Sequence, residues 1–203
     1  MKQPIIAILA LLALSVSSAA AGDSLDAIKR TLSGAEATRF DFLSIVESDI
    51  FERTDTTAGT LYICKTGRYD IQIGGDRYLY NLEFLYSYSQ GANQVTVEKL
   101  DPVQAGAEDL SFLTRLDQYF TTETVEPDHE YRLVKKDSRY RNLPDSMRVT
   151  IDPSEKHLSV VEYLDANEEL NRLVITGQQS FLDCDSTRFL PNFPDSVETI
   201  NLW

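Results

Sequence analysis

The chain has 203 residues, and its 32 acidic and 19 basic side chains give a formal net charge of −13. Such an acidic surface repels phosphate backbones and anionic headgroups, which argues against nucleic acid as a partner and against spontaneous adsorption to membranes. The length suits one domain with a sizeable core.

The first 21 residues have the pattern of a secretory signal peptide. Lys2 gives a positive start, residues 5–16 are apolar, and Ala19-Ala20-Ala21 offers the small residues of a cleavage site. The apolar run is too short for a stable membrane span, although a retained anchor is the alternative. We therefore expect export and a single domain over residues 22–203.

The first half of this domain is predicted to be a short helix followed by strands. Leu25, Ile28 and Leu32 recur at helical spacing, and Gly34 ends the pattern. Short alternating runs, separated by turns rich in Gly, Asp and Thr, then predict strands. These strands are expected near residues 40–45, 59–65, 68–73, 77–80, 83–88 and 94–100, with a turn at 55–59.

A second helix is predicted next, because Leu110, Leu113, Leu116 and Phe120 follow helical spacing. Further strands are expected near 130–135, 146–151, 157–164 and 170–176, the last two joined by a turn at 165–168. About ten antiparallel strands in one domain curl into a full or incomplete barrel, whose mouth the two helices would cover. The predicted fold class is mainly β with α: an incomplete, half-open antiparallel β-barrel closed by a helical lid.

The strands between residues 59 and 101 carry many aromatic side chains, which must be covered by a second layer or offered to an apolar ligand. The residues predicted to line such a cavity are apolar and alternate along the strands, or lie on the second helix. They are Phe42, Leu61, Ile63, Tyr69, Ile71, Tyr78, Tyr80, Tyr86, Tyr88, Leu110, Leu113 and Leu116. Core packing is the alternative for each of them, and a slip of one residue in register would exchange the set for its neighbours.

The sequence contains no recognisable catalytic motif: GxSxG, HExxH, Walker A and GxGxxG patterns are all absent. His129 and His157 are isolated, and neither has a cysteine at metal-ligand spacing. We therefore expect no catalytic residues, no metal site, no cofactor and no enzyme activity, with paired carboxylates of a glycoside hydrolase as a distant alternative. In an oxidising compartment Cys64 and Cys184 are predicted to form a disulfide, the alternative being two buried thiols.

Several short motifs resemble, in their order, the periplasmic outer-membrane lipoprotein carrier proteins (LolA-like). The motifs are Gly59-Thr60-Leu61-Tyr62-Ile63, Arg68-Tyr69-Asp70-Ile71, Phe84-Leu85-Tyr86-Ser87-Tyr88, Asn93-Gln94-Val95-Thr96-Val97 with Leu100, a hairpin at Asp165, Phe189, and Pro194-Asp195-Ser196-Val197. The resemblance implies an apolar cavity that shields lipoprotein acyl chains. It also implies a periplasmic monomer that shuttles lipoproteins from the inner to the outer membrane.

The partners implied by this resemblance are acylated lipoproteins, an inner-membrane ABC-type lipoprotein exporter and an outer-membrane lipoprotein acceptor. In the family an Arg-Pro pair follows the basic strand, and its Arg hydrogen-bonds the lid. Lys65-Thr66 stands there in this chain, so Lys65 is the predicted lid latch, although it lacks the planar donor fork of Arg and could be an ordinary solvated lysine. The alternative function is a non-catalytic envelope sensor or interaction module on the same fold.

Overall fold

The computed structural model describes residues 24–48, 52–100, 110–140, 143–165 and 168–202, so the predicted signal peptide lies outside the described residues. Two α-helices are present within them, α1 (Ser24–Gly34) and the one-turn α2 (Leu116–Tyr119), with 3₁₀ turns at Leu110–Thr114 and Ser186–Phe189. The strands are β1 (Ala37–Ser48), β2 (Arg53–Cys64), β3 (Tyr69–Ile73), β4 (Asp76–Tyr80), β5 (Phe84–Ser89), β6 (Gln94–Lys99), β7 (Phe120–Glu126), β8 (Glu130–Lys135), β9 (Ser146–Asp152), β10 (His157–Leu164), β11 (Leu170–Phe181) and β12 (Glu198–Asn201).

These strands form one open, curved sheet in the order β12-β6-β5-β4-β3-β2-β1-β11-β10-β9-β8-β7. Neighbouring strands are antiparallel except β12, which runs parallel to β6. The two longest pairings, β1 with β2 and β1 with β11, lie at the centre of the sheet. The prediction of a half-open, mainly β fold closed by helices is confirmed.

One face of the sheet, which we call the inner face, is covered by α1 and by residues 110–119, which we call the lid. Helix α1 buries Leu25, Ile28 and Leu32 against this face, as their spacing predicts. Its first turn is anchored to the β7–β8 turn, because the Ser24 hydroxyl and amide both donate to Asp128 Oδ1, at 2.6 and 3.2 Å. The cover is therefore attached at the edge of the sheet as well as through its apolar side chains.

The second helix differs from its prediction. Instead of one helix running through Phe120, the lid is a 3₁₀ turn followed by a single α-helical turn, and Phe120 begins β7. The β-branched residues that follow Phe120 favour extended backbone, and the Phe120 ring packs edge-on against Phe112 at 6.1 Å. The predicted turn at 55–59 was also wrong, because these residues extend β2 and pair with β1.

The other face, which we call the outer face, is crossed by the C-terminal residues 182–202, which we call the strap. The strap begins at the disulfide Cys64–Cys184, whose Cα atoms are 5.7 Å apart, so the predicted disulfide is confirmed. Phe189 then packs against Tyr62, with 6.1 Å between ring centroids, before β12 joins the sheet edge. The strap thus covers an aromatic surface that would otherwise face water.

A buried ion pair fixes the middle of the strap. The Arg77 guanidinium donates to both oxygens of Asp70, at 2.8 and 3.2 Å, and the Asp70 side chain is only 4% exposed. Arg77 also donates to the main-chain carbonyls of Arg188, at 3.2 Å, and Asn192, at 3.5 Å. One guanidinium therefore joins β3, β4 and the strap.

Gly59 is required by a close contact on the inner face. It lies opposite Phe42 in β1 and Ile73 in β3, and a Cβ at position 59 would come within 2.5 Å of the Phe42 ring and 2.9 Å of the Gln72 carbonyl oxygen. The first residue of the Gly-x-Leu motif thus leaves room for an aromatic ring.

We expect Gly59→Ala to lower the free energy of unfolding by about 1–3 kcal/mol, because the strand or the Phe42 ring must move to accept the methyl group. Urea unfolding followed by circular dichroism measures the loss. Gly91→Ala is the matched control, since a Cβ at position 91 meets no atom within 4 Å. Equal stability of the two variants would contradict the packing argument.

Candidate functional site

The inner face carries a continuous apolar surface over β1–β5. Because directly opposed residues share a face, two rows of side chains cross these strands. One row is Phe40, Leu61, Ile71 and Tyr78, and the next is Ile63, Tyr69, Tyr80 and Leu85. The rings of Tyr69 and Tyr80 lie 5.4 Å apart.

The apolar surface continues over the other half of the sheet. Its buried members alternate with more exposed residues along β8, β9, β10 and β11. They are Tyr131, Leu133, Met147, Val149, Ile151, Leu158, Val161, Leu173 and Ile175. The inner surface of both halves therefore forms one hydrophobic core.

The lid inserts apolar side chains into this core without joining the sheet as a strand. Leu110, Phe112, Leu113, Leu116 and Tyr119 are all buried. Phe112 also lies edge-on to Tyr163, with 6.4 Å between ring centroids, and burial raises the pKa of the Tyr163 hydroxyl. The lid and α1 thus occupy the space in which an apolar ligand would lie against the inner face.

Most of the predicted cavity residues lie together in this core, but Tyr86 and Tyr88 do not. Tyr80 pairs with Leu85, so Leu85 faces inward and the neighbouring Tyr86 faces outward. Tyr86 and Tyr88 instead pack against Phe193 of the strap, at 6.1 and 5.6 Å between ring centroids. The three-residue connection between β4 and β5 determines which residues of β5 face inward. The alternation within each strand cannot show this.

The sequence reasoning missed the β8–β11 contribution to the core, although its signal was present. The alternation of apolar residues in 130–135 and 146–151 predicts one buried face for each strand. Which strand lies beside which is a matter of topology, and the alternation carries no information about it.

A buried lysine ties α1 to the lid. Lys29 is 8% exposed, and its ammonium group lies 2.8 Å from Asp117 Oδ1 in α2 and 3.5 Å from Asp26. It also donates to Thr122 Oγ1 in β7 at 2.8 Å. Lys29 therefore bridges both parts of the cover and the sheet edge.

Lys65, the predicted latch, lies beside Arg115 of the lid, and its side chain does not hold the lid. Its ammonium pairs with Glu36 at 3.2 Å, and both side chains are about half exposed. The contact with the lid runs in the opposite direction, because Arg115 Nη2 donates to the main-chain carbonyl of Lys65 at 3.4 Å. The arginine of this contact belongs to the lid and not to the strand.

Two adjoining hollows, which we call the seam cleft, follow the boundary between α1, the lid and the β2–β3 turn. Their volumes are about 200 and 150 Å³. Both are lined by Leu32, Ser33, Thr114, Arg115 and Gln118. The cleft is a place where the cover borders solvent above the core.

A wider crevice of about 480 Å³ is lined by residues of β7–β11. Its lining mixes apolar side chains such as Met147 and Tyr163 with charged ones, and within it Arg172 Nε lies 2.6 Å from Glu162 Oε1.

The anchor of α1 at Asp128 depends on pH. The hydrogen bonds from the Ser24 hydroxyl and amide hold the pKa of Asp128 below its usual value, since they favour the ionised carboxylate. The contribution of the anchor to stability is therefore complete above the usual aspartate pKa of about 4 and is lost as the pH falls through the lowered value.

Neither histidine lines the seam cleft. His157 Nε2 lies 2.5 Å from Glu155 Oε2 in the β9–β10 turn, and His129 lies in the β7–β8 turn. Among the described residues there is no cluster of three His, Cys, Asp or Glu side chains arranged to hold a metal ion. Over the same residues, none of the helices has the length and apolarity needed to cross a bilayer.

Comparison with known proteins bears on the fold. No protein-family model and no curated protein sequence matches the chain. Among solved structures, an uncharacterised conserved protein from Thermus thermophilus aligns with a TM-score of 0.51 and 10% identity, over 88% of this chain and 97% of that one. This likeness shows a shared fold.

Two further solved structures have names that match the family resembled by the motifs. A LolA superfamily protein from Nitrosomonas europaea aligns with a TM-score of 0.44 and 9% identity, over 83% of this chain and 98% of that one. An outer membrane lipoprotein-sorting protein domain from Vibrio parahaemolyticus aligns with a TM-score of 0.43 and 10% identity, over 83% and 96% of the two chains.

Proposed function

We propose that the protein is a periplasmic carrier that shields the acyl chains of lipoproteins between the inner face and its cover. The observation that carries the proposal is the composition of the core: a sheet-wide apolar surface is closed by α1 and a ten-residue lid. The lid belongs to no strand; a hydrogen bond from the Lys136 main-chain N–H to the Tyr119 carbonyl, at 2.9 Å, ties its last residue to the sheet. Displacement of the lid would uncover the inner face for a ligand.

The energies of the exchange support reversible loading. Burying a leucine or phenylalanine side chain contributes about 1.5–3 kcal/mol, and burying one CH₂ group contributes about 0.8 kcal/mol. Burying the five lid side chains therefore contributes about as much free energy as burying on the order of a dozen methylene groups, which is about the size of one acyl chain. An exchange so nearly balanced allows both capture and release.

The proposed route starts at an inner-membrane ABC-type lipoprotein exporter and ends at an outer-membrane acceptor, with the protein acting as a monomeric chaperone between them. The resemblance of the motifs supports this route. The net charge of −13 is consistent with it, because an acidic carrier does not adsorb to anionic membranes between the two partners.

Binding of a fluorescent fatty acid to the purified mature protein tests the proposal. We expect saturable binding with a blue-shifted emission, since the probe would leave water for the core. Mass spectrometry of gently extracted protein should also detect co-purified acyl chains. A native preparation that binds no probe under any condition would contradict the carrier function.

The cover should open faster when its ion pair is removed. In Asp117→Asn the pair with Lys29 loses its charge attraction, and because Asp117 is 71% exposed we expect a modest loss of about 1 kcal/mol from closure. Stopped-flow mixing should then show probe uptake about fivefold faster. Asp145→Asn is the matched control, since its carboxylate pairs with Lys135, which belongs to neither α1 nor the lid, and is 95% exposed. Equal uptake by Asp117→Asn and wild type would contradict the role of this pair.

A second candidate is a non-catalytic envelope sensor or interaction module. The dense packing of the inner face favours it, since Phe40, Leu61 and Tyr69 are fully buried by protein side chains. Deleting the gene separates the two functions: lipoproteins retained at the inner membrane support carriage, and unchanged sorting supports sensing.

We further propose that the protein has no catalytic activity and needs no metal or cofactor. The support is the sequence, which has no nucleophile, phosphate-loop or metal motif, and in which each histidine is isolated.

A further inference from the structure

The seam cleft combines an apolar floor with a polar rim. Its floor is formed by side chains of the core: Leu32, Ile63, Leu113 and Leu116 are all buried. Ser33, Thr114 and Gln118 provide hydroxyl and amide groups at the rim. A molecule with an apolar tail and a polar head would have matching surroundings at both ends.

The lining of the cleft is cationic, although the chain as a whole is strongly acidic. It contains Lys29, Lys65 and Arg115 and one carboxylate, Asp117. The carboxylate is held by Lys29, at 2.8 Å. Positive charge therefore collects where the covered core borders solvent.

Arg115 is the cation available to a ligand. Lys29 is paired with Asp117, and Lys65 with Glu36. Within the described ranges the Arg115 guanidinium meets no carboxylate; its hydrogen bond goes to the Lys65 carbonyl at 3.4 Å, and the group lies against Gly67. Four of its five N–H donors can thus serve an incoming anion.

Resting on the proposal that the core takes up acyl chains, we infer that the seam cleft binds the anionic head of a free fatty acid or a phospholipid, a ligand different from the neutral acyl anchor of a lipoprotein, with Arg115 as its donor. The planar guanidinium forms paired hydrogen bonds to a carboxylate or a phosphate, and these are stronger than bonds between neutral groups. The head would lie on Arg115 while the tail passes Leu32 and Leu113 into the core. Fatty-acid carboxylates and phospholipid phosphates share this chemistry.

The position of Arg115 also links the head to the lid. Its present acceptor is the Lys65 carbonyl, a neutral oxygen at a long distance. An anion is a better acceptor, so an arriving head takes the guanidinium away from the β2–β3 turn. Binding of the head and release of the lid from the β2–β3 turn at Arg115 are then one event.

The experiment compares three fluorescent probes with the same alkyl chain, ending in a carboxylate, a phosphate or a neutral methyl ester. Each is titrated into wild-type protein, Arg115→Gln and Arg115→Lys. We expect Arg115→Gln to weaken binding of at least one anionic probe about 10–30-fold and to leave the ester within twofold, with Arg115→Lys between them. The control is Arg139→Gln, an 84% exposed arginine paired with Asp137, which should change none of the affinities.

The outcomes separate this inference from the carrier function. Equal weakening of the ester and both anionic probes, or no weakening of any probe, overturns the anionic site while carriage stands. Binding of no probe by the wild type overturns both. A selective loss for the phosphate or for the carboxylate supports the site and identifies the source of the head.

Discussion

Replacing Arg77 by methionine should lower the free energy of unfolding by about 3–5 kcal/mol. The substitution leaves the carboxylate of Asp70, which is 4% exposed, without its cation beneath the strap. It also removes the donor to the carbonyls of Arg188 and Asn192, so the middle of the strap loses its attachment. Urea unfolding at neutral pH, followed by circular dichroism, measures the change.

Asp70→Asn is the informative comparison. In this variant Arg77, which is 20% exposed, keeps its two carbonyl acceptors. An unpaired charge on Arg77 therefore costs less stability than an unpaired charge on Asp70. We expect a smaller loss than for Arg77→Met, and the double variant should recover part of the loss because no buried charge is left unpaired. Additive losses in the double variant would show that the two side chains act independently.

Removing the disulfide should have an effect of similar size. Cys64 and Cys184 are 120 positions apart, and closing so long a loop restrains the unfolded chain by about 4–5 kcal/mol on the entropic account. We expect Cys64→Ser with Cys184→Ser to lower the free energy of unfolding by about 3–5 kcal/mol, in part because a serine hydroxyl replaces a buried sulfur at position 64.

Reduction of the wild type provides the internal control for this prediction. Unfolding in the presence of excess dithiothreitol should show a loss close to that of the double variant, while the variant itself should not respond to the reductant. A wild type whose urea midpoint is unchanged by complete reduction would contradict the stabilising role of the bridge.

The local pattern of the chain predicted much of the fold. Helix α1 was evident from Leu25, Ile28 and Leu32, and the same spacing places Lys29 one turn after Leu25, on the buried side of the helix. The strands from β2 to β6 were evident because short turns separate alternating runs. β7 was not, because all of its residues except Phe120 are exposed, so that no alternation marks this edge strand.

The parts that sequence reasoning missed depend on contacts between distant residues. Tyr86 and Tyr88 share one face of β5, as their alternation predicts. That face is covered by the strap, whose Phe193 lies more than 100 positions later in the sequence. Likewise Lys65 matched the latch position of the resembled family, whereas the donor across that contact is Arg115. The motif therefore pointed to the segment that contacts the lid, but only the structure shows that the donor is Arg115.

The central pairing of β1 with β11 has a consequence for the order in which the molecule assembles. Ala37 faces Phe181, so β1 receives its second neighbour only after residues 170–181 have been made, whereas β1–β6 join through local hairpins. During synthesis the chain can therefore form a half-sheet whose apolar face is uncovered, a stage exposed to aggregation. Recovery after dilution from denaturant should accordingly fall as the protein concentration rises.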